Sequence, residues 1–173
     1  NYLHNNGLDF EVYYMRLSES NRSWKIDLSK IQYLYYIDKG FYKDISGFYF
    51  HFNPKLIRKV IRNKNVEYIL GASWNNVDVL LLCLLKRVGL LKNKLHIWSE
   101  ANYLTIGSQK DDILKNTIRK FVFNSIDGAF IVPGEMSVKT FERWGINVGK
   151  FIFLPNVIDE HIFNSTLKKS VER

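Results

Sequence analysis

The chemistry in this chain is most concentrated where a carboxylate follows an apolar run and is flanked by an indole and an amide. That arrangement is Trp98-Ser99-Glu100-Ala101-Asn102. A glutamate so placed can accept hydrogen bonds from sugar hydroxyls and is suited to taking a proton from an incoming nucleophile. Glu100 is therefore the candidate catalytic residue. A second segment, Gly71-Ala72-Ser73-Trp74-Asn75-Asn76, also places small and polar residues directly after an apolar run. Ser73, Asn75 and Asn102 carry the donor and acceptor groups that polyol recognition requires. Trp74 and Trp98 offer aromatic faces on which a sugar ring can stack. With Ser99 they make up the candidate polyol-binding set. The third segment is Pro133-Gly134-Glu135, after another apolar run. Structural roles compete throughout: Trp98 at a strand end can equally pack a core, and Glu100 can cap or anchor a loop.

These three segments share a context, because each falls where a short apolar run gives way to a helical pattern. Residues 67–72, 95–98, 127–132 and 151–154 read as strands. Between them lie a helix over 76–88, with Asp78 early, Lys86 and Arg87 late and Gly89 as its stop, and a helix from a capping box at Ser108–Asp111 to about residue 123. The second of these is expected to turn Ile113, Leu114, Thr117, Ile118 and Phe121 inward. A third helix over 135–144 carries Val138, Phe141 and Trp144 on one face and closes at Gly145. Earlier in the chain, residues 8–15 and 31–37 alternate as strands. Asn53-Pro54 opens a helix with Leu56, Ile57, Val60 and Ile61 inward and Lys55, Arg58, Lys59 and Arg62 on a solvated outer face.

Strands separated by helices of this length predict right-handed crossovers and a mostly parallel sheet. The expected fold class is α/β: a Rossmann-like, doubly wound sheet flanked by helices. In such sheets ligands lie beyond the carboxyl ends of the strands. That rule gathers the three polar segments at one edge.

Composition narrows the alternatives. With 46% hydrophobic residues the chain has enough apolar material for one compact core. A net charge of +8 suits anionic partners, although a Lys-, Asn- and Ile-rich composition alone also produces it. The single cysteine, Cys83, sits in an apolar run and cannot form an internal disulfide, which fits a buried structural thiol in a reducing compartment. His4, His51, His96 and His161 show no metal-ligand spacing, so no metal site is expected. Gly-rich phosphate loops and the G-x-S-x-G nucleophile motif are absent from the sequence. The aromatic stretch 33–52, with Lys39 and Lys43, is explained mainly by strand packing. An exposed subset of it would suit a membrane interface better than nucleic acid, which is not an expected partner.

The most specific stretch is DGAFIVPGEMSVKTFERWGINVGKFIFLPNVIDEHIF, from Asp127 to Phe163. Its order (strand, Pro-Gly, helix, Trp-Gly-Ile, strand, then P-N-V-I-D and Phe163) resembles the end of the N-terminal domain of family 4 glycosyltransferases of the GT-B type. The resemblance covers residues 67–163. It implies an acceptor-side Rossmann-like domain over 1–154 and a linker into a nucleotide-sugar donor domain over 155–173. Gly134, Glu135 and Asn156 would then face the interdomain cleft. It also implies a retaining hexosyl transfer from a nucleotide-sugar held by the second domain, with no cofactor bound by this piece. The acceptor would be a saccharide or a lipid-diphosphate-linked saccharide in surface polysaccharide synthesis. The location would be cytoplasmic, with peripheral contact at the inner face of the cell membrane. Glu100 departs from the His more common at that position in the family.

The first residue, Asn1, and the polar residues 164–173 are read as marks of a longer enzyme whose opening strand and Gly-rich turn precede the chain, residues 1–6 being the tail of its first helix. Alone, the piece is expected to catalyse nothing. The alternative is a non-catalytic acceptor- or membrane-binding subunit of a two-chain transferase. A nucleotide-binding sensor is a further alternative, disfavoured by the missing Gly-rich turn.

Overall fold

The computed structural model describes residues 1–15, 27–37, 40–45, 48–73, 76–102, 104, 113–146 and 148–155. Its centre is a four-stranded parallel sheet built from β5 (Tyr68–Ala72), β6 (Lys94–Trp98), β7 (Phe130–Val132) and β8 (Phe151–Phe153), adjacent in that order. Three helices make the crossovers: α3 (Val77–Arg87), α4 (Ile113–Phe123) and α5 (Glu135–Arg143). The architecture is thus α/β with a parallel sheet flanked by helices, consistent with a Rossmann-like fold. Strand order advances in one direction from β5 to β8 and does not reverse within this sheet.

The preceding elements are smaller. A helical turn α1 (Tyr2–Asn5) leads to β1 (Glu11–Tyr14), which pairs in parallel with β2 (Leu34–Ile37). Both strands are shorter than the alternation suggests; ahead of β2, residues 28–30 form a 3-10 turn capped by Asp27, whose carboxylate accepts from the Ser29 N–H at 3.1 Å. An antiparallel hairpin, β3 (Phe41–Ile45) with β4 (Phe48–Phe52), fills the aromatic stretch, and its antiparallel pairing was not legible from the alternation. It feeds α2 (Pro54–Arg62) through Asn53, whose side chain accepts from the Leu56 N–H at 3.0 Å, so the expected cap is present. Lys59 lies over the Tyr13 and Tyr36 rings, 4.8 and 3.0 Å from their centroids, tying α2 to the β1–β2 pair by cation–π attraction.

Alternation in the four-stranded sheet sorts its two faces. Leu95, Ile97, Phe130 and Val132 are buried with Val79, Leu82 and Cys83 of α3 and Phe141 of α5. On the opposite parity Tyr68, Leu70 and Ile152 are about half exposed. The aromatic centre is tight: the Phe130 and Phe141 rings are 4.6 Å apart, and Phe141 and Trp144 meet edge-on at 5.3 Å. Gly145, at φ +77°, ends α5 as the sequence requires.

Two expectations need correction. The inward stripe of α4 is not the one the spacing selects. Ile113 is 83% exposed, Thr117 is exposed, and Phe121 is half exposed beneath the Arg87 guanidinium, 4.7 Å from its ring centroid. Val122, Phe123 and Ile126 are buried instead. The reason is aromatic: Phe123 packs against Phe130, Phe141 and Trp144, and docking that ring fixes the rotation of the helix. The side chains of Leu114 and Ile118, and the Ser108–Asp111 capping box, lie outside the described residues.

The strand expected from residue 127 begins only at Phe130. Residues 127–129 are occupied otherwise. Asp127 accepts from the Leu95 N–H at 3.2 Å and pairs with Lys86 at 2.6 Å. Gly128 presses so closely on β6 that a Cβ there would lie 2.1 Å from the Leu95 carbonyl oxygen.

Gly128→Ala is expected to destabilise the domain by about 1–3 kcal/mol or more, since backbone rather than a movable side chain must yield; urea unfolding measures it. For Asp127, burial pulls the carboxyl up, but Lys86 and the Leu95 N–H outweigh it and hold the group below its ordinary value. Its contribution is therefore complete above the unfolded carboxylate pKa and lost as pH falls through the lower folded one. Asp127→Asn should flatten the loss of stability below about pH 4 while costing less than about 1 kcal/mol at neutral pH, as this side chain is partly exposed.

Candidate functional site

Parallel strands joined by helical crossovers present all their carboxyl ends on one side, and the register here aligns them. Ala72, Trp98, Ile131 and Ile152 form a continuous row across β5 to β8. Three hydrogen bonds step along the edge just beyond it. The Ser73 N–H donates to the Trp98 carbonyl at 2.9 Å, Ser99 to Ile131 at 3.0 Å, and Leu154 to Val132 at 2.9 Å. Ser73, Glu100 and Gly134 therefore share the rim on which the sequence placed them.

Their local environments differ. Ser73 is exposed and holds φ +70°, the left-handed region that residues with a Cβ avoid. Backbone strain of this kind concentrates where a scaffold presents groups for function. Trp98 is partly exposed, on the face away from the helices. Ser99 is 2% exposed, and its hydroxyl accepts from the Ala101 N–H at 3.2 Å, so it braces the turn beneath the rim. That turn delivers Glu100 into solvent. Asn102 is exposed and folds back to accept from the Leu104 N–H at 2.9 Å. Gly134 opens α5 with no side-chain cap, and a Cβ added to it would meet nothing within 4 Å. Glu135, in the first turn of α5, is exposed. Trp74, Asn75 and Asn156 lie outside the described residues.

A polar node beside this rim is absent from the sequence reading. Asn76 caps α3 by accepting from the Asp78 N–H at 2.9 Å and donates to the Met15 sulfur at 3.3 Å, bringing the end of β1 to the start of α3. Asp78 is 1% exposed and accepts from the Asn53 N–H at 2.8 Å. Burial pushes its carboxyl up, while the Asn53 N–H and nearby His51 pull the other way. The node locks the N-termini of α2 and α3 together at the sheet edge. Helical spacing explains Asp78 as a dipole partner, but nothing in it links positions 53 and 78.

Late in α4, Arg119 stands over the Trp144 ring at 4.6 Å. Among the described residues, no three His, Cys, Asp or Glu side chains gather in a way that could hold a metal ion. Nor, among them, is any helix long and apolar enough to cross a membrane. No family model, curated protein or solved structure matches this chain.

If the Ser73 backbone is held in place for a ligand, relieving it should separate stability from binding. Ser73→Gly is expected to leave stability unchanged or raise it by up to about 1 kcal/mol. The same change should weaken binding of a ligand seated on the rim, measured by calorimetry.

Proposed function

We propose that this chain is the acceptor-side, Rossmann-like half of a two-domain GT-B glycosyltransferase resembling family 4. The observation that supports the reading most is the shared edge: four parallel strands end together beneath Ser73, Glu100 and Gly134. In this reading the β1–β2 pair, a separate two-stranded parallel sheet, belongs to the other half of a doubly wound domain, and the ligand crevice opens between that pair and β5. The bond from Asn76 to Met15 supports that placement, since it joins the two carboxyl ends flanking the crevice.

The second domain holds a nucleotide-sugar, and the chain reaches it through the segment after β8. The acceptor saccharide, free or lipid-diphosphate-linked, lies on the rim. Ser73 and Asn102 orient its hydroxyls, Trp98 packs against its rings, and Glu100 accepts the proton from the attacking hydroxyl. Gly134 and Glu135 face the donor domain. The enzyme works in the cytoplasm at the inner membrane face, where lipid-linked acceptors are presented.

In the complete enzyme Glu100→Gln should lower turnover by roughly 10²–10⁴-fold with a smaller effect on acceptor KM. Quantifying transfer from a labelled nucleotide-sugar checks this, and wild-type turnover would exclude Glu100 from the chemistry. The 173-residue chain alone is expected to transfer no sugar.

A further inference from the structure

We infer that the groove between α2 and α3 is a docking site for anionic phospholipid, seating the chain on a negatively charged bilayer. The groove, about 250 Å³, is lined by Phe52, Pro54, Ile57 and Ile61, with Leu81 of α3 as its other wall. Arg58 and Arg62 line it as well, four residues apart and so on one side of α2. The combination is that of an amphiphile site: apolar walls for an acyl segment, and two guanidiniums matched to a phosphate diester.

Three further observations favour a bilayer. Among the described residues neither Arg58 nor Arg62 forms an ion pair, so both are available to a phosphate. The sequence of α2, PKLIRKVIR, contains no acidic residue to compete. The apolar surface also continues past the groove along α3, where Leu84 is 42% and Val88 58% exposed at helical spacing from Leu81, with basic Arg87 beside them. Exposed leucine and valine between arginines meet the apolar and anionic layers of a bilayer surface together. This site lies on the helices and does not use the sheet edge, so it stands independently of sugar transfer.

Flotation of the 173-residue chain with vesicles tests it. The wild type is expected to float with phosphatidylcholine vesicles containing phosphatidylglycerol and to stay behind with phosphatidylcholine alone. Arg58→Ala with Arg62→Ala should weaken binding roughly thirtyfold, the effect of two basic groups at the surface. Ile61→Asn should weaken it through the apolar wall while leaving the charge intact. Lys92→Ala with Lys139→Ala removes equal charge elsewhere and should change binding less than about twofold. Far-UV circular dichroism and thermal unfolding confirm that each variant is folded. Absence of wild-type binding to the anionic vesicles, or equal losses in the arginine and lysine pairs, overturns the proposal. So does self-association of the wild type that the arginine changes abolish without any vesicle binding, which would make the groove an interface between copies.

Discussion

The fold depends most on one buried aromatic contact. Phe130 of β7 and Phe141 of α5 stand 4.6 Å apart, and Phe123, Trp144 and Phe151 close around them. Those five rings belong to α4, β7, α5 with its closing turn, and β8, so each crossover in the second half of the sheet is anchored through the same cluster. Truncating a ring such as Phe141 removes about 3–5 kcal/mol, a large share of the roughly 5–15 kcal/mol that holds a typical domain together. The aromatic demand also explains the rotation of α4. Turning the helix to bury Ile113 and Phe121 would withdraw Phe123 from three ring contacts.

The same crossovers that cover one sheet face leave the other open. Connections of one hand stepping in a single direction place their helices on a common side. Tyr68, Leu70 and Ile152 consequently lie half exposed on the reverse face, although parallel sheets are ordinarily covered on both. The rim at the carboxyl ends is shaped by this asymmetry. Trp98 alternates onto the open side, while its neighbour Ser99 is sealed beneath the turn that projects Glu100.

Much of the α/β half was legible because its signals are local. Asn53-Pro54, Asn76 and Gly145 mark helix ends through their own backbone preferences, and the elements begin or stop within a residue or so of those marks. The rim was legible for a related reason: a parallel sheet converts "just after a strand" into a common edge. What escaped reading depends on distant partners. The late start of β7 follows from Gly128 lying against a carbonyl 33 residues earlier in the chain, and the α4 face follows from rings in β7 and α5. Helical spacing identifies Asp78 only as a helix-dipole residue, whereas its carboxylate also accepts from the Asn53 N–H, 25 residues earlier in the chain. The Ser99 hydroxyl similarly looked available, yet it is consumed by a local turn.

Cys83 gives the molecule a reporter of its own opening. The thiol is completely enclosed between α3 and the sheet, and burial pushes it up to about 12. Alkylating reagents attack the thiolate, so they find almost none in the closed state and cannot reach what there is. As the chain holds one cysteine, the pace of its modification measures how often the helical layer lifts from the strands, residue-specific information that needs no engineered label.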